Sequence, residues 1–195
     1  ALETAAREGV DLAAMRPVMI HAQLLGRDQL PAVKRLRVIP SFFVAHVYHW
    51  GDIHWENLGA DRADHISPAG SAARQGIPFT FHTDAPVIPP DLLETVWCAV
   101  NRETRSGRCL GPEERVDART ALEAVTVNAA FQYFEERDKG TLAPGKRADL
   151  VLLDRDPLTA PSEELRDIQV LETWKDGVPI FRRGEKTPCN FRRED

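Results

Sequence analysis

Over the first 90 residues, short apolar runs alternate with stretches whose apolar residues fall at helical spacing. Val18-Met19-Ile20 is an apolar run that ends on His21. Leu30, Val33 and Leu36 approximate one buried helical face, and Asp28 just ahead of them is the expected cap. Val38 to Val44 reads as a buried strand running into His46, with Pro40 as a blemish because proline withholds an N–H from a ladder. Ser67-Pro68 predicts a helix start, with serine as N-cap and proline at the first helical position, and Gly76 closes it. Ile77 to His82 is the next expected strand, and Thr83-Asp84 sits where it ends. Asp91 and Glu94 have capping-box spacing ahead of the apolar face Leu93, Val96, Trp97 and Val100.

The second half has a different rhythm. Asp117 is the expected cap of one long helix through Leu122, Val125, Ala129 and Tyr133, ending near Gly140. A turn at Leu142 to Lys146 leads into a strand from Ala148 to Leu153. Ile168 to Trp174 and Val178 to Phe181, joined by Asp176-Gly177, have the pattern of a hairpin with a two-residue turn. Beyond Arg182 the chain is polar enough to fray.

Strands alternating with helices predict the α/β class with a parallel sheet. Such sheets place their chemistry at the C-terminal ends of the strands. His21, His46 and Asp84 each close a predicted strand. A lone histidine there is more often just a hydrogen-bonded polar side chain, but polar residues ending successive strands face one mouth.

Charge narrows the partners. In the 195 residues, 25 Lys and Arg against 30 Asp and Glu leave a diffuse net charge of −5, so no nucleic-acid partner is expected. No apolar run nears the roughly 20 residues that span a bilayer, so no membrane partner is expected either. Cys98, Cys109 and Cys189 lack C-x-x-C spacing, which argues against a thiolate zinc site and for a reduced, cytoplasmic protein. A Cys98–Cys109 bridge stays open as an alternative. The chain opens on Ala1 with helical character and no basic leader, which reads as a fragment or a trimmed form.

Asp84 has two readings: a turn-former in Thr83-Asp84-Ala85-Pro86, or a carboxylate that binds a cation and accepts a proton from water. Nitrogen and oxygen ligands without thiolate suit zinc, with iron or manganese as alternatives. His46 and His49 form H-x-x-H, yet Tyr48, Trp50 and Gly51 favour a loop from 48 to 64 after the strand. In that loop Tyr48, His49 and Trp50 are expected to contact substrate, while His49 and His54 are not expected to ligate. His65 and His82 are expected to be structural or outer-sphere groups, although His82, two before Asp84 in an alternating strand, is a minor ligand candidate.

Three segments then resemble consecutive signatures of amidohydrolase family 3: Val18 to Leu24, Ile39 to His46 and Phe81 to Val87. Ala124 to Ala130 and Gly140 to Val151 resemble the superfamily's closing signature. The resemblance implies the last part of a distorted (β/α)8 TIM-like barrel over 1–137, about four strands of it, a small β-sandwich segment over 138–184 and a polar tail over 185–195. It implies His21, His46 and Asp84 as ligands of a divalent metal, with Asp84 as the catalytic proton acceptor. It also implies hydrolysis of amide-like C–N bonds in a small molecule, N-substituted formamides in the nearest subgroup.

Two departures qualify that picture: the chain contains no H-x-H pair, and Ile20 stands where relatives commonly carry a carboxylate. The expected protein is therefore a C-terminal portion of a C–N hydrolase with an incomplete metal site, partnered by a homo-oligomer or a complementing N-terminal half. The alternative is a non-catalytic barrel remnant with an oligomerisation or regulatory role, its open strand edges covered by pairing.

Overall fold

The computed structural model describes residues 1–185. Two short helices, α1 (Leu2–Arg7) and α2 (Leu12–Met15), lead into a parallel sheet of β1 (Val18–His21), β2 (Ile39–Phe42) and β3 (Thr80–Phe81), in that order. The register aligns Ile20 with Ser41 and Ser41 with Thr80, then His21 with Phe42 and Phe42 with Phe81. Pro40 sits in the central strand after all. Ile39 N–H donates to Pro17 O on the β1 side, so the next residue faces β3, whose pairing begins only at Ser41. Proline thus occupies the one position where its missing donor leaves the ladder intact.

The helices between the strands are α3 (Leu30–Arg35), α4 (His46–Leu58), α5 (Ala60–Ala63) and α6 (Ala69–Arg74). Several expectations change here. The cap of α3 is Gln29, not Asp28, and its side chain makes no capping bond because Oε1 accepts from Gly26 N–H instead. Ser67 does not cap α6: it adopts φ +47 with its hydroxyl buried and unpartnered, while its N–H donates to Gln23 O. Where four parallel strands were expected there are three among the described residues, and β2 pairs directly with a β3 shorter than the predicted run.

The largest correction is α4, a helix where a loop was expected. Gly51 is not a breaker but a contact point, since a Cβ there would lie 2.7 Å from Thr104 Cγ2. Helical winding puts Val47 and Gly51 on the buried side and aligns His46, Trp50 and His54 at intervals of four.

Next come α7 (Leu92–Asn101), α8 (Ala118–Val125) and α9 (Val127–Gln132). Asp91 and Asp117 cap α7 and α8 as the pattern predicts. The single long helix expected after Asp117 breaks at Thr126, at φ −124 and ψ −88. Its hydroxyl donates to Leu122 O, the back-bond with which threonine bends helices. The core runs through Phe42, Phe43, Val44, Phe79, Val96 and Trp97. Burial of each large side chain contributes roughly 1.5–3 kcal/mol.

A second, antiparallel sheet holds β4 (Leu150–Leu153), β5 (Val170–Lys175) and β6 (Val178–Arg182). The hairpin turn falls at Asp176-Gly177, at φ +50 and +77, the two positive values a tight two-residue turn requires. This sheet is a single layer whose Val151, Leu152 and Ile180 are each more than half exposed. It is tied to the first body through a 3-10 segment, Ser162–Asp167: Trp97 Nε1 donates to Glu163 O and Asn101 Nδ2 to Ser162 O. Cys98 and Cys109 are free thiols, so the bridge left open above is not formed. Cys189 and most of the polar tail lie outside the described residues. Among the described residues no helix is long and apolar enough to cross a membrane.

Arg102, fully buried at the end of α7, donates to Leu110 O, Ser67 O and Ile66 O. Burial draws its pKa down to about 10, with Glu114 opposing, so it stays charged at neutral pH. Arg102→Lys is expected to cost roughly 2–5 kcal/mol, because one ammonium cannot span three carbonyls and each orphaned acceptor costs about 1–3 kcal/mol. A lowered urea midpoint with unchanged slope is the expected reading.

Candidate functional site

The C-terminal ends of the parallel strands bring three ligating side chains together. His21, His82 and Asp84 each offer one donor atom, and these atoms lie within 4.8 Å of one another. They form the group of this kind found among the described residues. His21 Nε2 is 3.8 Å from Asp84 Oδ2. His21, Ala22 and Asp84 adopt φ of +63, +44 and +53, a region that side-chain-bearing residues enter at a cost of about 1–3 kcal/mol each.

His82 follows β3, and its Nδ1 lies 3.2 Å from Ser41 Oγ on the neighbouring strand. With Nδ1 engaged there, Nε2 is buried and has no partner. A buried nitrogen left unpartnered beside a histidine and a carboxylate fits a bound cation. The sequence signal for His82 was its alternation with Asp84.

His46 opens α4 and stands one ring further out, its centroid 5.9 Å from that of His21. Its Nδ1 is 3.3 Å from His54 Nε2, and the same His54 nitrogen is 2.8 Å from Gln23 Nε2. Phe43, 1% exposed, is the post around which these rings pack: His46 edge-on at 4.6 Å, His82 stacked at 5.5 Å and His21 edge-on at 6.0 Å. Phe43 carried no sequence signal beyond being apolar.

Burial sets the charge state. It draws His46 down to about 4, with His54 and His21 adding to the effect and Asp84 opposing it. Burial also lowers His82, assisted by His21, and lowers His54. The three rings are therefore neutral at neutral pH and offer lone pairs, which is the form that binds metals.

The expected substrate contacts divide. Trp50 lies 5.2 Å from His46 and 6.0 Å from Phe43 between ring centroids, so it borders the site. Tyr48 packs edge-on against Trp97 of α7 at 5.2 Å. His49 lies between Arg105, 3.0 Å from its Nδ1, and Glu94, 3.3 Å from its Nε2. A cavity of about 370 Å³ touches His82 and Asp84 and is bounded by Ile20, Ser41, Gln132 and Tyr133. A larger cavity, about 1060 Å³, lies between α7 to α9 and the second sheet, away from the histidines.

Residues 1–181 match the model of the amidohydrolase family. The N-substituted formamide deformylase of Arthrobacter pascens is 35% identical over 138 residues, covering 70% of this chain and 25% of that protein. The structure resembles a metal-dependent hydrolase from Pyrococcus horikoshii, with a TM-score of 0.67 and 28% identity over 83% of this chain and 32% of that one. It also shares the fold of an adenosine deaminase from Xanthomonas campestris with bound zinc, with a TM-score of 0.62 and 20% identity over 92% of this chain and 42% of that one. The fold is of the TIM-barrel hydrolase type, and the chain spans between 25% and 42% of the length of these relatives.

The native chain holds His46 neutral down to about pH 4, whereas the unfolded chain protonates it near 6.5. Between these values the unfolded state binds more protons, so stability falls as the pH drops from about 6.5 to about 4. His46→Gln is expected to flatten that acid limb by less than one proton, read from denaturation midpoints across the window.

Proposed function

The chain belongs to the amidohydrolase family, and from that premise we propose that it supplies part of the active site of a metal-dependent hydrolase cleaving amide-like C–N bonds. The observation that carries this reading is the convergence of His21, His82 and Asp84 at the ends of parallel strands. His21, His46 and Asp84 hold a divalent metal in this proposal, and the unpartnered Nε2 of His82 adds a further donor beside them. When bound, such a metal polarises a carbonyl and makes water a stronger acid. Nitrogen and oxygen donors suit zinc, as in the zinc-bound Xanthomonas campestris relative, with iron and manganese as alternatives.

Asp84 performs the proton work. Its carboxylate accepts a proton from the attacking water as the C–O bond forms, and delivers it to the nitrogen as the C–N bond breaks. Trp50 and the cavity beside His82 border the substrate, while Tyr48 and His49 act from the α4–α7 contact. The deformylase relative supports a small amide-like molecule as substrate. Residues 1–137 form the barrel portion and 138–184 the sandwich portion in this reading.

A complementing N-terminal half or a second copy covers what this chain leaves open. Ile20 on the edge strand β1 is 58% exposed, and the second sheet exposes apolar side chains on its single layer. The free thiols fit a cytoplasmic setting.

Elemental analysis of the purified chain is expected to find near-stoichiometric zinc that falls in both His21→Ala and Asp84→Asn. Absence of metal from the wild-type chain would overturn the proposal that these side chains assemble a site on their own. In an active full-length form, Asp84→Asn is expected to lower kcat by about 10²–10⁴. Trp50→Ala there is expected to change substrate preference more than stability, and an unchanged substrate profile would remove Trp50 from the site.

A further inference from the structure

We propose that Gln23 and His54 are positioning residues that set the tautomer of His46, keeping its proton on Nδ1 and its Nε2 lone pair free for a metal. The inference rests on the metal-site reading above and adds two residues to it. The argument is one of donors and acceptors. Gln23 is pinned by its own backbone, its carbonyl accepting from Ser67 N–H at 2.8 Å. Its amide nitrogen, 2.8 Å from His54 Nε2, can only donate. His54 Nε2 is therefore an acceptor, and the proton of this neutral ring sits on Nδ1.

His46 Nδ1 lies 3.3 Å from that same His54 Nε2. Two unprotonated nitrogens facing each other would repel, so His46 Nδ1 carries the proton, and its N–H shares the single lone pair of His54 Nε2 with the Gln23 amide. A neutral imidazole holds one proton, and the remaining lone pair of His46 is on Nε2. The two rings are nearly parallel, at 12°, and four-residue steps along α4 place both on one face, so the helix itself sets the relay. His82 follows the same logic by a different route, with Ser41 Oγ engaging Nδ1 and leaving Nε2 unpartnered. His46 and His82 thus each have a partner on Nδ1, the arrangement by which outer groups orient metal-binding imidazoles.

Side-chain nitrogen NMR on the metal-free full chain reads the tautomer directly, and zinc titration of the same samples reads its consequence. His46 is expected to carry its proton on Nδ1. His54→Phe keeps a stacking ring but removes the acceptor, and is expected to mix the His46 tautomers and weaken zinc binding by about 10–100-fold. His54→Gln loses the ring but restores an acceptor oxygen, and is expected to keep the tautomer and hold zinc within a few-fold of wild type. Gln23→Leu is expected to fall between the two. A purely packing role for His54 reverses that order, with phenylalanine tolerated and glutamine not, and would overturn the proposal. So would a wild-type His46 protonated on Nε2, the outcome if the Gln23 amide presents its oxygen to His54. If the wild-type chain takes up no zinc, the metal-site reading fails, while the tautomer measurement still decides the roles of Gln23 and His54.

Discussion

The site depends on one alignment. Phe42, fully buried in the central strand, lies opposite His21 on one side and Phe81 on the other, so the two parallel ladders bring β1 and β3 to the same height. The donors follow from there: His21 is in the aligned row, and His82 and Asp84 come immediately after it. A shift of one residue in either ladder would turn its strand over and carry the donor to the opposite face. Phe42 resists that shift because its core contacts with Phe79 and its neighbours are lost if it turns outward. The chemistry is therefore tied to packing rather than to a flexible loop.

Packing also governs protonation. Phe43 is surrounded by histidine rings, and the same apolar contact that orders them withholds water from their charged forms. His46 and His82, lowered by burial, remain neutral where exposed histidines begin to protonate, and neutral rings are ligands and relays rather than cations. The local hydrogen bonds then divide the labour within each ring. Ser41 and His54 engage one nitrogen of His82 and His46 respectively, and the other nitrogen is left for chemistry.

Much of this was legible in the sequence because it rests on local rules. Alternating apolar runs gave the parallel strands, Asp91 and Asp117 announced their helices, and Asp176-Gly177 announced its hairpin. What escaped depends on partners distant in sequence. Gly51 looks like a helix breaker until Thr104 is packed against it, and then its missing side chain is what lets the helix approach. Ser67 has the composition of a cap, but its N–H is taken by Gln23 O and its backbone turns left-handed, so its hydroxyl never reaches the helix. His54 has the surroundings of a loop residue in the sequence, yet its relation to His46 exists only once α4 is wound. Periodicity shows which face is buried, but not which of two polar side chains will meet across it.

The costs carried at the strand ends favour a functional reading over a purely structural one. Left-handed backbone also occurs away from the site, at Arg16, Arg37 and Arg102, but His21, Ala22 and Asp84 carry it together at one mouth, each at about 1–3 kcal/mol. His82 adds a buried nitrogen without a hydrogen-bond partner, as His49 does within α4, and at the strand ends that nitrogen stands beside a second histidine and a carboxylate. Strain and an unmet hydrogen bond in a single cluster, next to a cavity and a carboxylate, are compensated together if a cation and its substrate occupy the cluster. The surface supports the same view: the apolar edge of β1 and the single-layered second sheet are open where a further element would complete both. The open edges fit a scaffold equally well, whereas the strained, unpartnered donors gathered at the strand ends fit the proposed metal site better.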